Sequence, residues 1–183
     1  MDKYLKEINK RGVLYAINPK AKHFGTIEQS PWELAAFSQW VEDQGGIGSY
    51  MEIGVSNGGT LRYIVDMFKP RRIYAADINK PKQLPPGTNF FHGSTFSPEF
   101  KEWIKNIGYV DLILIDADHK FESVTNDYEI CKQYGKHIAF HDICGLRDCA
   151  GSAKHWNEVK VGKNHRQFVD PNPDFQVGIG LLV

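Results

Sequence analysis

Tyr50-Met-Glu-Ile-Gly-Val-Ser-Asn-Gly-Gly-Thr-Leu61 is a short apolar run, an acidic residue and a glycine-rich turn that opens a helix. Gly54, Gly58 and Gly59 follow Glu52 at the spacing G-x-x-x-G-G. A strand-to-helix turn so rich in glycine lets a ligand approach the backbone closely, at the positive end of a helix. The dinucleotide pattern G-x-G-x-x-G does not fit, because position 56 is Ser. An acidic residue just before the first glycine repels a pyrophosphate and suits a ligand with a cationic amino group. Glu52, Gly54, Ser56, Gly58 and Gly59 are therefore the first candidate binding residues.

Outward from this turn, strands and helices alternate. The pattern predicts strands at about 48–54, at Arg72–Asp77, at Asn89–His92, at Val110–Asp116 and at Ile138–His141. Helices are expected at about 58–68, from Ser97-Pro98 with Phe100, Trp103, Ile104 and Ile107 on one face, and through Phe121, Val124, Tyr128 and Cys131. A short helix near 153–159 and a hairpin of 165–169 with 176–183 close the chain, turning around Asp170-Pro-Asn-Pro-Asp174. Upstream, Ser30-Pro-Trp-Glu33 supplies an N-cap, a proline at the first helical position and a capping-box glutamate. Leu34, Phe37 and Val41 form that helix's apolar stripe, and Gly45-Gly46 end it. Residues 1–27 are the least patterned part. The alternation argues for a doubly wound α/β sheet, with 1–183 one domain: a helical or lid segment over 1–46 and a core over 47–183.

The chain has 183 residues, with 22 Lys plus Arg against 22 Asp plus Glu, so no basic excess points to nucleic acid. No run approaches the ~18 apolar residues of a membrane span, and the charged start Met1-Asp-Lys-Tyr-Leu-Lys-Glu is not a signal peptide. Cys131, Cys144 and Cys149 are odd in number and lack C-x-x-C spacing. They read as reduced thiols of a cytoplasmic protein, with a Cys144–Cys149 bridge or metal site as the alternative.

In open α/β sheets ligands bind beyond the carboxyl ends of the strands, so polar residues ending strands are the ones to inspect. Asp77 lies 23 residues past Gly54, near the ~20-residue offset of a ribose-binding carboxylate; otherwise it caps its own turn. Gly93-Ser94-Thr95 closes the third strand and is expected to meet the adenine or ribose of such a ligand. The fourth and fifth strands deliver Asp116, Asp118, His119, His141 and Asp142 to one edge. Oxygen ligands from two strand ends suit Mg²⁺ with positions left open for substrate. His119 has the near-neutral pKa of a general base. Against these stand plainer roles: Asp118 as a helix cap, His141 as a hydrogen-bonded strand-end histidine, Lys120 as a surface charge and Trp156 as packing.

The motif E-x-G-x-x-x-G-G resembles the first motif of class I, Rossmann-like S-adenosylmethionine-dependent methyltransferases. The run I-D-A-D-H-K-F-E-S-V-x-x-D-Y and the later A-F-H-D-I resemble the group of macrocin-type sugar O-methyltransferases and cephalosporin-hydroxylase-like proteins, from about residue 29 to the C-terminus. The resemblance implies a mostly parallel seven-stranded sheet with a C-terminal antiparallel hairpin. It also implies S-adenosylmethionine as cofactor, Asp116 and Asp142 as metal ligands and His119 as base. His141-Asp142 stands where better-described members carry an acidic pair or Asp-Asn; a histidine there favours Mn²⁺, Fe²⁺ or Zn²⁺ over Mg²⁺. The expected reaction is O-methylation of a hydroxylated small molecule or sugar, with divalent-metal assistance and a homo-oligomer that lends a lid as further expectations. A metal-dependent hydrolase, a nicotinamide-dependent oxidoreductase and a non-catalytic S-adenosylmethionine-binding protein are the rivals.

Overall fold

The computed structural model describes residues 1–12, 27–146, 148–172 and 176–183. Its centre is β1 (Ser49–Ile53), every residue of which is buried, as expected for a parallel strand covered on both faces. After β1 come α3 (Gly59–Phe68), β2 (Arg72–Asp77), β3 (Thr88–His92), α4 (Pro98–Ile107), β4 (Val110–Ile115), α5 (Phe121–Cys131), β5 (Gly135–His141), α6 (Ala150–Val159), β6 (His165–Phe168) and β7 (Ile179–Leu182). Before it stand α1 (Asp2–Arg11) and α2 (Pro31–Asp43).

The seven strands form one sheet in the order β3-β2-β1-β4-β5-β7-β6. Strands β1 to β5 pair in parallel, and β7 runs antiparallel to both β5 and β6. The chain steps from β1 outward to β3, then returns to place β4 on the other side of β1. The carboxyl ends of β1 and β4 thus flank the switch in strand order, where a crevice opens. Alternation along the strands feeds two cores. Tyr50, Leu112 and Leu114 join Leu34, Phe37, Leu61 and Ile64 on one face. Met51, Ile53, Ile113, Ile115 and Phe140 join Phe100, Ile104, Val124 and Trp156 on the other.

Most elements fall where the pattern predicts. Helix α1 does not: residues 1–27 show little pattern, yet Asp2–Arg11 is helical. Only Tyr4 and Ile8 are buried in it, with Leu5 partly buried against the same core, so its apolar stripe is short. Tertiary contacts complete it, with Tyr4 against Phe68 of α3 at 5.9 Å, Lys3 paired to Glu42 of α2 and Arg11 2.9 Å from Asp66. Helix α6 starts at Ala150 rather than near 153, with Cys149 as its N-cap residue. Trp156 has the packing role: it is buried, its Nε1 donates to Gln167 at 2.7 Å, and a Cβ on Gly180 would lie 2.7 Å from its ring. Part of the turn between the last two strands, 173–175, lies outside the described residues. No helix among the described residues is long and apolar enough to cross a membrane.

Candidate active site at the carboxyl edge of the sheet

A cleft of about 1810 Å³ opens at the switch point. Cavities for one small ligand run to roughly 300–1,000 Å³, so this one has room for two reactants side by side. One half is walled by the β1–α3 turn, β2 and β3, the other by the ends of β4 and β5.

In the first half the backbone does most of the shaping. Gly54 has φ +84, and a Cβ there would lie 2.1 Å from the carbonyl oxygen of Asp116; its glycine is required by the passage of β4's end over the turn. Asp77 Oδ2 accepts hydrogen bonds from the amides of Val55 at 2.8 Å and Ser56 at 2.9 Å. Its Oδ1 accepts from the Asn79 amide at 2.7 Å. Asp77 therefore braces the glycine turn and caps its own, which leaves one Oδ1 lone pair for a ligand. Ser56, itself at φ +46, donates its hydroxyl to Glu28 at 2.7 Å. Gly54, Ser56, Asp77, Gly93 and Ser94 all line the cleft.

Three of the expected binding residues stand behind the wall rather than on it. Gly58 is the left-handed N-cap of α3 (φ +71) and Gly59 is that helix's first residue. Glu52 points into the core, where Tyr50 donates its hydroxyl to Oε2 at 2.8 Å. Burial pushes the Glu52 carboxyl well above the ordinary range, against the Tyr50 hydrogen bond, and the charges of Asp116, Glu28 and Asp77 push it further. It lies beneath the floor of the cleft, where burial disfavours its charged form. The reason is pleat: position 52 shares a face with Tyr50, away from the opening.

The second half is a side-chain network. His141, buried at the end of β5, has Nδ1 3.2 Å from Asp116 Oδ1 and 3.3 Å from Asp142 Oδ2. Its Nε2 lies 3.0 Å from Glu33 Oε1. Burial works against charge on this ring, yet Asp116 and Asp142 raise its pKa well above the ordinary histidine value. It is an imidazolium donating from both nitrogens. Glu33 carries more than a helix cap: its carboxylate also accepts from the Ser30 amide and the Gly178 amide, each at 2.6 Å. Gln29 donates Nε2 to Asp116 Oδ2 at 2.6 Å and accepts the Thr60 hydroxyl, so three elements fix one aspartate.

His119 projects from the β4–α5 loop, its side chain 36% exposed and its Nε2 3.0 Å from Asp142 Oδ2. The hydrogen bond to Asp142 raises its pKa, partly opposed by burial. Burial raises the Asp142 carboxyl, but His141 and His119 pull it well below the ordinary range. Asp142 also holds φ +59, a strained conformation for a non-glycine residue that clusters at functional sites. Asp118 accepts the Ser123 hydroxyl at 2.8 Å and pairs with exposed Lys120 at 3.5 Å; the N-cap position of α5 is Lys120.

The fold thus brings Asp116, His119, His141 and Asp142 together, and Asp116, His141 and Asp142 place one ligand atom each within 4.8 Å of one another. Sequence reasoning missed Gln29, the second role of Glu33 and Asp127, and its one alternative for Cys149 was pairing with Cys144, whereas both are free thiols and Cys149 lies beside His119. Asp127 on α5 lines the cleft, and burial pushes its carboxyl up to about 6, against hydrogen bonds from Thr95 and Asn126. The only signal for Glu33 was the capping box, which accounted for it too well.

No protein-family profile matches the chain, and no curated protein matches it. Solved structures do. MycE methyltransferase of the mycinamycin biosynthetic pathway, in complex with Mg, SAH and mycinamycin VI, aligns with a TM-score of 0.65 at 16% identity, over 98% of this chain and 54% of that one. An O-methyltransferase from Bacillus cereus in complex with SAH aligns at 0.62 and 14% identity, over 100% and 91%. Spermidine synthase from Thermotoga maritima aligns at 0.53 and 12% identity, over 74% and 52%. The chain spans about half the length of the MycE chain it matches. At these identities the likeness establishes the fold, that of class I methyltransferases, and leaves the chemistry to the site.

Proposed function

We propose that the chain is an S-adenosylmethionine-dependent O-methyltransferase acting on a hydroxylated small molecule. The observation that carries this reading is the convergence, in one two-ligand cleft at the switch point, of a braced glycine turn and a carboxylate-held histidine. Solved structures of the same fold that hold SAH, one of them with Mg and mycinamycin VI, support it.

S-adenosylmethionine supplies a methyl group on a sulfonium. In this chain Asp77, held in place by the turn amides, presents a ribose-binding carboxylate, and Ser94 and Thr95 line the same cleft. Glu28, Asp77, Asp116 and Asp118 line the cleft, and their summed field favours a cationic donor over its neutral product. Across the cleft His119 keeps Nε2–H on Asp142 and so carries its lone pair on Nδ1, where the Cys149 sulfur lies 3.4 Å away. A thiol is a weak hydrogen-bond donor, so an acceptor hydroxyl displaces it readily. His119 then takes the hydroxyl proton at Nδ1 while Asp142 stabilises the imidazolium, a contribution of ~10²–10⁴ in rate. Positioning of the two reactants supplies much of the remainder.

A divalent ion fits the inner cluster. The Nδ1 proton of His141 places positive charge between Asp116 and Asp142, where a cation would take the same three donors. Glu33 behind Nε2 then fixes the ring, as carboxylates behind ligating histidines do. Such an ion would lower the acceptor's pKa and orient it. The nitrogen donor suits Mn²⁺, Fe²⁺ or Zn²⁺ better than Mg²⁺.

Calorimetric titration with S-adenosylhomocysteine, with and without Mn²⁺, tests the reading. Micromolar binding is the expected result. No binding in either condition overturns it and leaves the Asp116–His119–Asp142 cluster to metal-dependent hydrolysis.

A further inference from the structure

We propose that His119, Asp142 and Cys149 form a second, soft-metal site on the cleft wall, selective for Zn²⁺ or another thiolate-accepting transition ion. It differs from the inner cluster in two of its three residues and requires nothing of the methyltransferase reading.

One ligand atom from each of the three residues lies within 4.8 Å of the others. The Cys149 sulfur is 3.4 Å from His119 Nδ1, and His119 Nε2 is 3.0 Å from Asp142 Oδ2, so the ring spans the sulfur and the carboxylate, and an ion would take one of its two nitrogens together with both. A set of one thiolate, one imidazole and one carboxylate is chemistry for Zn²⁺, not for Mg²⁺ or Ca²⁺. Cys149 and Asp142 are buried, while His119 faces the cleft and leaves a fourth position open. That is the pattern of three protein ligands and one exchangeable position.

The donors are held by backbone rather than by chance approach of long side chains. Cys149 is the N-cap residue of α6. That helix seats directly on the His119 loop: a Cβ at Gly151 would lie 2.3 Å from both the His119 carbonyl oxygen and the Phe121 amide nitrogen. Asp142 is oriented from behind by His141, itself held by Glu33. Without a cation the Cys149 thiol is pushed up to about 12, by burial and then by Asp142. Binding replaces the thiol proton, which leaves to solvent. The ion also takes a nitrogen from His119. If the methyltransferase reading holds, Zn²⁺ in this site withdraws the base and inhibits.

The test is titration of the reduced, metal-stripped chain with Co²⁺. A near-ultraviolet thiolate-to-cobalt charge-transfer band is expected, abolished by stoichiometric Zn²⁺ and unaffected by excess Mg²⁺. Cys149→Ser should remove the band, and serine is itself a good N-cap, so the fold survives. Cys144→Ser should retain it, and His119→Gln should weaken Co²⁺ binding by at least ~10-fold. Absence of the band in the wild type, or its persistence in Cys149→Ser, overturns the proposal. Titrating the same samples with S-adenosylhomocysteine separates the two ideas, since that binding stands or falls independently of the band.

Discussion

Around Gly54–Gly59 and Asp77 the cleft is shaped by backbone groups that a local stretch of sequence sets, whereas across β4 and β5 it is built from side chains gathered from the whole chain. In the first half Asp77 reaches Val55 across 22 residues and Ser56 reaches Glu28 across 28. In the second half Gln29 reaches Asp116 across 87 residues, His141 reaches Glu33 across 108, and Glu33 reaches Gly178 across 145. The difference teaches where each half is vulnerable. A backbone-built pocket fails when a side chain is added; a side-chain network fails when a charge is taken away and its partner is left buried.

The largest expected effect comes where the halves touch. Gly54→Ala places a Cβ 2.1 Å from the Asp116 carbonyl oxygen, and neither backbone can yield without moving β1 or β4. Loss of ~4 kcal/mol or more is expected, together with loss of S-adenosylhomocysteine binding, as read by denaturant unfolding and calorimetry. Wild-type stability in this variant would break the claim that the two halves are backbone-locked.

Removing Glu33 probes the network alone. Glu33→Ala strands a buried imidazolium and two amides, at a cost of ~3–5 kcal/mol. Glu33→Gln keeps the shape, so it should cost less and leave S-adenosylhomocysteine affinity little changed while weakening Mn²⁺ binding. Equal losses of nucleoside and metal binding in the glutamine variant would show that the halves are not separable.

The smallest effect sharpens the comparison, because Asp127 is a buried charge on the backbone-built side. Its folded-state pKa is raised from the ordinary 3.8 to about 6. The stability linked to its protonation is therefore fully present below about pH 4 and lost as pH rises through about 6, worth ~1–3 kcal/mol. Asp127→Asn removes that dependence, so the variant should gain on the wild type between pH 4 and pH 7 in urea unfolding. A pH-independent difference would mean that Asp127 is solvated in the folded state.

Legibility followed the same division. The alternation from residue 48 onward, Gly54's turn and the strand-end aspartates were readable because each is a local pattern: period 2 in the strands, a glycine where φ is positive, a carboxylate where a buried strand ends. Helix α1 was not, since Tyr4, Leu5 and Ile8 make too short a stripe until α2 and α3 cover them. The burial of Glu52 was not legible, because its position in the motif gives the turn but not the face of the pleat. Glu33 read completely as a cap, so nothing in the sequence called for a second partner.

By itself the sequence determined the α/β alternation, the edge of the sheet that carries polar strand ends, and the set of acids and histidines available there. Those depend on hydrophobic period and on conformational demands within a few residues. Only the tertiary structure decided that Glu52 lies in the core with its carboxyl pushed up, that His141 sits between three carboxylates, and that Cys149 meets His119. Charge state and ligand grouping depend on burial and on distances of a few ångströms between residues far apart in the chain. Those distances exist only once the sheet has chosen its order and the helices have packed on it.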